Sequence, residues 1–169
     1  MLSFTTEEDY TQNYKFLIGS ILPRRIAVIL TKNENGTNNL APFSFFNGFS
    51  AKPMIVGFAP IRRPNSGEKM DTLVNIEREK EFVVNFVTEK TADLVNLCST
   101  ELAVGEDEFE FSGLTPLQSE VVKAARMAES PIQFECVLRD IVSYGDEPGA
   151  GTLITGEVVR VRVAEALEK

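Results

Sequence analysis

The chain has 169 residues, a length that suits one domain able to bury a core without disulfides or metals. Hydrophobic residues make up 43% of it and charged residues 25%, and its net charge of −8 disfavours nucleic acid or an anionic membrane as the main partner. There is no histidine, so serine–histidine pairs, histidine zinc sites and histidine general bases are excluded. We expect a single domain over residues 1–169 with no metal site.

The cysteines and the N-terminus favour a cytoplasmic protein. Cys98 and Cys136 lie far apart and form no CxxC motif, so we expect buried free thiols in a reducing compartment. Residues 1–9 lack the basic and apolar regions of a signal peptide. No later run approaches the roughly 18 apolar residues that a membrane span needs.

The N-terminal part of the chain predicts a helix. Apolar residues follow helical spacing over residues 10–21. Thr6 is the expected N-cap, with Glu7 and Glu8 in the first turn, where acidic groups favour the helix dipole. Pro23 ends this helix because proline cannot continue the hydrogen-bond ladder.

Segments rich in β-branched and aromatic residues predict strands, bounded by glycine, proline and asparagine. They cover residues 26–31, 39–47, 54–59, 81–87, 132–144 and 152–163. Asn35-Gly36 predicts a hairpin between the first two, because both residues tolerate positive φ. A glycine-rich turn over residues 145–151 joins the last two.

Further helices are predicted over residues 71–78, 88–100 and 115–127. Asp71 is the expected N-cap of the first of these. Thr115, Pro116 and Gln118 combine a cap, a proline at the first helical position and a glutamine at the third, which is typical of a helix start. Residues 106–113 read as an acidic loop. Several antiparallel hairpins with helical insertions indicate a β-barrel rather than a βαβ sheet.

Residues 39–47 carry the densest chemical signal of the chain, with three aromatics, a proline and small polar groups in the order Asn-Leu-Ala-Pro-Phe-Ser-Phe-Phe-Asn. Such a segment can offer backbone hydrogen bonds and a flat apolar surface to a planar ligand. Taken alone, it also fits an aromatic-rich core strand.

Residues 62–72 form a candidate phosphate site. Arg62, Arg63 and Lys69 precede Thr72 at a predicted helix start, where unpaired N–H groups and the positive dipole end suit an anion. No glycine-rich phosphate loop of the common types occurs in the chain. The alternative for this segment is a solvated basic loop.

Several segments follow one another in an order shared with a known family. Residues 23–27 look like its opening strand, and residues 39–46 look like its Asn-Leu-Ala-Pro-Phe-Ser-Phe-Phe segment. Residues 69–76 resemble its Lys-Asp-Thr-x-x-Asn-Ile signature. Over about residues 20–163 the chain thus resembles the flavin reductase-like family of FMN-binding split β-barrels. This implies a mainly β fold with helical insertions, an antiparallel Greek-key barrel.

The resemblance implies an FMN site in which residues 39–45 lie against the isoalloxazine ring. Ser44 and the backbone around Ala41 and Phe43 would hydrogen-bond the polar edge of the ring, with Thr31 contributing from the neighbouring strand. A flavin ring needs such flat apolar contact and a few placed polar groups.

The phosphate would be held by Lys69 and Thr72, together with Arg62 or Arg63. The full set of implied flavin contacts is Thr31, Asn39, Ala41, Pro42, Phe43, Ser44, Phe45, Arg62, Arg63, Lys69 and Thr72. No residue is expected to act as a catalytic acid or base, because the cofactor carries the chemistry.

The implied reaction is hydride transfer from NADH or NADPH to bound FMN, or to FAD in its place, at a homodimer interface. Reduced flavin would then serve a monooxygenase or another redox protein. The alternatives are an FMN-binding electron carrier, similar to flavoredoxin, without its own nicotinamide oxidation, and a split barrel that has lost flavin and serves as a binding protein.

Overall fold

The computed structural model describes residues 3–6, 10–100, 102–103 and 105–167. Helices within these ranges are α1 (Tyr10–Ser20), α2 (Asp71–Glu79), α3 (Ala92–Leu97) and α4 (Glu108–Ser112), with short 3₁₀ turns at Glu89–Thr91 and Glu165–Leu167. The strands are β1 (Ala27–Lys32), β2 (Asn38–Phe43), β3 (Phe46–Ala51), β4 (Met54–Phe58), β5 (Glu81–Phe86), β6 (Pro116–Leu117), β7 (Arg126–Met127), β8 (Ile132–Ser143) and β9 (Thr152–Val163). No helix in the described part of the chain is long and apolar enough to cross a membrane.

Seven strands form one antiparallel sheet in the order β2-β1-β5-β8-β9-β4-β3. Its two outermost strands, β2 and β3, are joined only by Ser44 and Phe45, so the sheet has to curl until its edges approach each other. The N–H of Ala59 donates to the carbonyl of Phe45 at 2.9 Å and ties this turn to the end of β4. The fold is a split β-barrel, mainly β with few helices, which confirms the predicted fold class.

The core lies on both faces of β1. Ala27 and Ile29 belong to the hydrophobic cluster of the barrel interior, while Val28 and Leu30 belong to a second cluster beneath α3 and α4. A strand that is buried on both faces reads as a continuous apolar run rather than an alternating one. This explains why β1 and β5 were predictable from composition.

The predicted helix over residues 115–127 is wrong. The segment forms a two-stranded ribbon of β6 and β7 with an irregular connection. Glu135 accepts hydrogen bonds from the N–H groups of Glu120 and Val121, at 3.0 and 2.7 Å, and Glu81 accepts from two N–H groups further along the connection. Carboxylates of the sheet therefore take up donors that a helix would have bonded internally.

The predicted acidic loop over residues 106–113 is also wrong, because it contains α4. Asp107 caps this helix by accepting from the N–H of Phe109 at 3.0 Å. Phe109 is buried in the second cluster. The acidic composition favoured a loop, although the segment contains a helix cap, Asp107, followed by a buried aromatic residue, Phe109.

Two helix starts differ from the prediction. Met70 occupies the N-cap position of α2 without a side-chain bond, and Asp71 is the first helical residue. The helix predicted over residues 88–100 is a 3₁₀ turn followed by the short α3, opened by a reciprocal cap between Thr88 and Thr91.

The strand predicted over residues 39–47 is divided in two. The chain bends at Ser44 and Phe45, so β2 ends and β3 begins within the motif. The predicted N-terminal helix is confirmed as α1, whereas its expected first-turn residues Glu7 and Glu8 lie outside the described residues.

Candidate functional site

The outer edge of β2, which faces away from β1, borders the candidate site. In an antiparallel pair, residues that exchange both main-chain hydrogen bonds alternate with residues that exchange none. Asn38 directs its N–H outward to a carboxylate at 3.0 Å, so Ala41 and Phe43 bond to β1 while Leu40 and Pro42 face outward. Of the backbone groups around Ala41 and Phe43, the outward ones are therefore the carbonyls of Leu40 and Pro42 and the N–H of Leu40, which lies beside Glu108.

A cavity of about 240 Å³ lies between β2 and the start of α2, and we call it the β2–α2 cavity. It is lined by five of the predicted flavin contacts, which are Asn39, Ala41, Pro42, Arg63 and Thr72. Its other walls come from the segment after α3 and from the start of α4.

A second cavity of about 180 Å³, the Phe45 groove, continues along the motif. It is lined by four predicted contacts, Pro42, Phe43, Ser44 and Phe45, and by Tyr14, Ala59, Ile61 and Met70. Pro42, Ile61 and Met70 line both cavities, so the two adjoin. Ligand pockets typically measure about 300–1,000 Å³, so a nucleotide-sized ligand has to extend over both.

A buried network of amides and hydroxyls supports the β2–α2 cavity. The Nδ2 of Asn39 donates to the hydroxyls of Thr31 and Thr72, at 3.2 and 3.0 Å, and the Nδ2 of Asn75 donates to Thr31 at 3.1 Å. Thr31 is fully buried and lines neither cavity. It therefore positions the two amides from below.

The predicted cations are separated in the structure. Arg63 lines the β2–α2 cavity, with its Nη2 3.5 Å from the carboxylate of Asp71. The Nζ of Lys69 instead bonds both carboxylate oxygens of Glu77, at 2.6 and 2.8 Å, and lies outside both cavities. Arg62 donates to main-chain carbonyls and also lies outside them. Only Arg63 of the three is placed beside Thr72.

Glu108 contributes a titratable group to the β2–α2 cavity that sequence reasoning missed. Burial raises the pKa of its carboxyl group to about 7, the Asp107 and Asp71 carboxylates add to the rise, and the Leu40 N–H lowers it. Its Oε2 is buried and has no hydrogen-bond partner among the described residues. The charge of this cavity therefore changes near neutral pH.

Both cysteines are buried free thiols, as predicted. Cys98 lines the β2–α2 cavity, and burial raises its pKa, although the Ser112 hydroxyl opposes the rise. Burial also raises the pKa of Cys136 far above its ordinary value. Neither thiol is activated as a nucleophile.

The site also contains apolar residues that no sequence signal indicated. Ile61 and Met70 form the wall opposite β2, and Tyr14 reaches the Phe45 groove from α1. Isolated apolar residues in loops carry no periodicity, so their place in a ligand cavity follows only from the tertiary structure. Glu108 was recoverable in part, because the preceding Asp107 is a recognisable helix cap.

These features define the class of the protein. A family model described as "Flavin reductase like domain" matches residues 18–169. The chain belongs to this family.

Known relatives support the assignment over nearly the whole chain. The uncharacterized protein BH2278 of Halalkalibacterium halodurans is 40% identical over 158 residues, which cover 92% of this chain and 75% of that protein.

Solved structures share the architecture closely. Nitrilotriacetate monooxygenase component B from Bacillus cereus has a TM-score of 0.93 and 36% identity, covering 100% of this chain and 84% of that one. Pseudomonas fluorescens 2-nitrobenzoate 2-nitroreductase NbaA has a TM-score of 0.86 and 29% identity, covering 99% and 78% of the two chains.

Proposed function

We propose that the protein binds FMN across the β2–α2 cavity and the Phe45 groove and acts as an NAD(P)H-dependent flavin reductase. The observation that carries this proposal is the convergence of most predicted flavin contacts on two adjoining cavities along one strand edge. Membership of the flavin reductase-like family also supports it.

The Phe45 groove fits the isoalloxazine ring. Phe45 and Pro42 supply apolar contact, and the outward carbonyl of Pro42 accepts a hydrogen bond from the polar edge of the ring, whereas the Phe43 ring packs on Phe58 in the barrel interior. The Nε of Arg24 donates to the Ser44 hydroxyl at 3.3 Å, which leaves the hydroxyl hydrogen free to bond a flavin oxygen. These contacts orient the ring without an acid or a base.

The β2–α2 cavity fits the ribityl phosphate. Thr72 is the second residue of α2, where unpaired N–H groups and the helix dipole favour an anion, and Arg63 supplies a cation beside it. Asp71 keeps the guanidinium in place at 3.5 Å. Glu108 has to be protonated for the phosphate to meet least repulsion.

FMN held by these residues would supply the redox chemistry of hydride transfer from a nicotinamide nucleotide. The residues of the chain hold and orient the ring and keep water from it. No described side chain in the two cavities has to transfer a proton. This is consistent with a chain that contains no histidine.

We propose a homodimer with the site at its interface. Val159, Val161 and Val163 of β9 are 43–46% exposed, and Phe49 of β3 is 58% exposed. Alternating valines on an exposed strand leave an apolar surface that a second copy would cover.

The acceptor of the reduced flavin is an oxygenase component in this proposal. The support is the 36% identical structure, whose name identifies it as a component of a monooxygenase. The 29% identical structure is named as a 2-nitrobenzoate 2-nitroreductase, which makes direct reduction of a small aromatic the second candidate function. The acidic net charge would favour docking to a basic partner surface.

A fluorescence titration tests flavin binding directly. We expect quenching of FMN fluorescence on addition of the protein, with riboflavin bound more weakly because it lacks the phosphate. FAD is titrated in parallel to establish which nucleotide is preferred. Equal affinity for FMN and riboflavin would contradict the phosphate assignment, and no quenching by either would contradict flavin binding.

A further inference from the structure

A third cavity lies between α1 and the barrel, and we call it the α1 cavity. Its volume of about 670 Å³ is the largest of the cavities described above. Tyr10, Tyr14 and Leu17 line it from α1, at the spacing of one helix face. Phe45 and Arg62 line it from the barrel side.

The helix that covers this cavity is held at its two ends. At its start, the Tyr10 ring lies against Gly149, where an added Cβ would come within 2.4 Å of a ring atom and where φ is +84°. At its end, Arg24 donates to the carbonyls of Ile18 and Ile21. No residue of α1 is buried, so the helix rests over the barrel without filling the space beneath it.

Arg62 gives the α1 cavity a positive charge that no carboxylate of the described residues pairs with. Its Nη1 donates to the Gly67 carbonyl at 2.9 Å and its Nε to the Gly145 carbonyl at 3.4 Å. No carboxylate partners this guanidinium among the described residues, whereas Arg63 next to it has Asp71. A guanidinium held by neutral carbonyls keeps N–H donors available to an anion.

The occupant that fits these walls is flat and carries one negative charge. Tyr14 and Phe45 have ring centroids 6.1 Å apart and are tilted by 54°, so they form an aromatic corner. Aromatic rings pack against such a corner edge-to-face or offset. The guanidinium of Arg62 matches the planar fork of a carboxylate.

We infer that the α1 cavity binds a planar aromatic carboxylate, with its ring against Tyr14 and Phe45 and its carboxylate at Arg62. The cavity shares Tyr14, Phe45, Ala59 and Ile61 with the Phe45 groove. An occupant would therefore lie beside the flavin ring. That last statement rests on the proposed function, whereas the binding of the carboxylate does not.

Benzoate and its neutral analogue benzamide are the probes. Their binding to FMN-saturated and to flavin-free protein is measured by ligand-observed NMR titration. In Arg62→Gln we expect benzoate to bind about tenfold more weakly and benzamide to change less than about twofold, because only the carboxylate uses the charge. Arg25→Gln is the matched control, since Arg25 is exposed and outside the cavity. In Tyr14→Ala, a surface change on α1, both probes should weaken.

Three results would overturn the inference. Benzoate could fail to bind, it could bind Arg62→Gln as tightly as the wild type, or FMN could displace it, which would assign the α1 cavity to the flavin itself. Failure of the proposed function gives a different result, which is a protein that binds no FMN. The benzoate titration of the flavin-free protein still tests the α1 cavity in that case.

Discussion

Glu108 is the residue whose protonation sets the charge of the β2–α2 cavity near neutral pH. Its carboxyl group lines the β2–α2 cavity together with Asp71 and Glu106. Arg63 is the cation among the described residues that line this cavity. In the proposed FMN complex a neutral Glu108 would lower the negative charge beside the phosphate, and its raised pKa of about 7 favours the neutral form below that pH.

Glu108→Gln should change how stability depends on pH. The pKa of Glu108 is raised from 4.5 to about 7 in the folded protein, so the neutral carboxyl stabilises the fold fully below about pH 4.5 and this contribution is lost as pH rises through about 7. The variant should lose less stability than the wild type between about pH 5 and about pH 8. Urea unfolding across this range measures the difference.

The control for this experiment is Glu110→Gln, which changes an exposed acid on the same helix. It should follow the wild-type pH profile. If Glu108→Gln also follows that profile, the burial argument for Glu108 is wrong.

Arg63 and Lys69, two of the three candidate phosphate cations, are expected to respond differently to mutation. Arg63→Gln removes the cation beside Thr72 and should weaken FMN binding about tenfold, with a smaller effect on riboflavin. Lys69→Gln removes a charge already paired with Glu77 and should change FMN affinity less than about twofold. Fluorescence titration of both variants decides between them, and the reverse order would restore Lys69 to the site.

At the scale of elements, the sequence predicted what local patterns determine. The hairpin signal Asn35-Gly36, the apolar runs of β1 and β5 and the β-branched segments of β8 and β9 located most of the sheet. Composition and turn residues carry this information locally. The ribbon of β6 and β7 was mistaken for a helix because its donors are satisfied by Glu135 and Glu81, which are distant in sequence. Long-range bonds of this kind leave no local pattern.

Glu135→Ala should destabilise the protein strongly. Glu135 is fully buried, accepts two main-chain N–H groups and lies 3.9 Å from Arg126. Removing one partner of a buried pair costs about 3–5 kcal/mol because the other charge loses its compensation. Chemical denaturation measures this loss.

Glu129→Ala is the matched control for that variant. Glu129 also accepts a main-chain N–H of this segment, from Thr115, but the bond is exposed. The expected cost is below about 1 kcal/mol. Equal losses in the two variants would show that burial of Glu135 is not what holds the ribbon.

At the scale of the whole molecule, the split-barrel topology positions the residues that are predicted to contact flavin. β2 and β3 are adjacent in sequence and lie at opposite edges of the sheet, so the motif that joins them has to cross the opening of the barrel. The sequence predicted this motif and Thr72 as flavin contacts, but no local pattern separates Arg63 from Lys69. Their pairings with Asp71 and Glu77 arise only in the folded protein.

Val161→Lys should dissociate the proposed dimer. A lysine at this exposed valine of β9 places a charge in the apolar surface, which is costly to bury without a partner. Sedimentation velocity should show a monomer, with weaker FMN binding if the site lies at the interface. Val74→Lys, an equally exposed position on α2, is the control and should remain a dimer. A monomeric wild type would contradict the proposed assembly.

Anaerobic reduction of FMN-reconstituted protein tests the central claim most directly. The absorbance spectrum is recorded before and after NADH is added, and again with NADPH. We predict that one or both nucleotides bleach the visible band of the bound flavin. Flavin that binds but stays oxidised with both would contradict the reductase and favour an electron carrier.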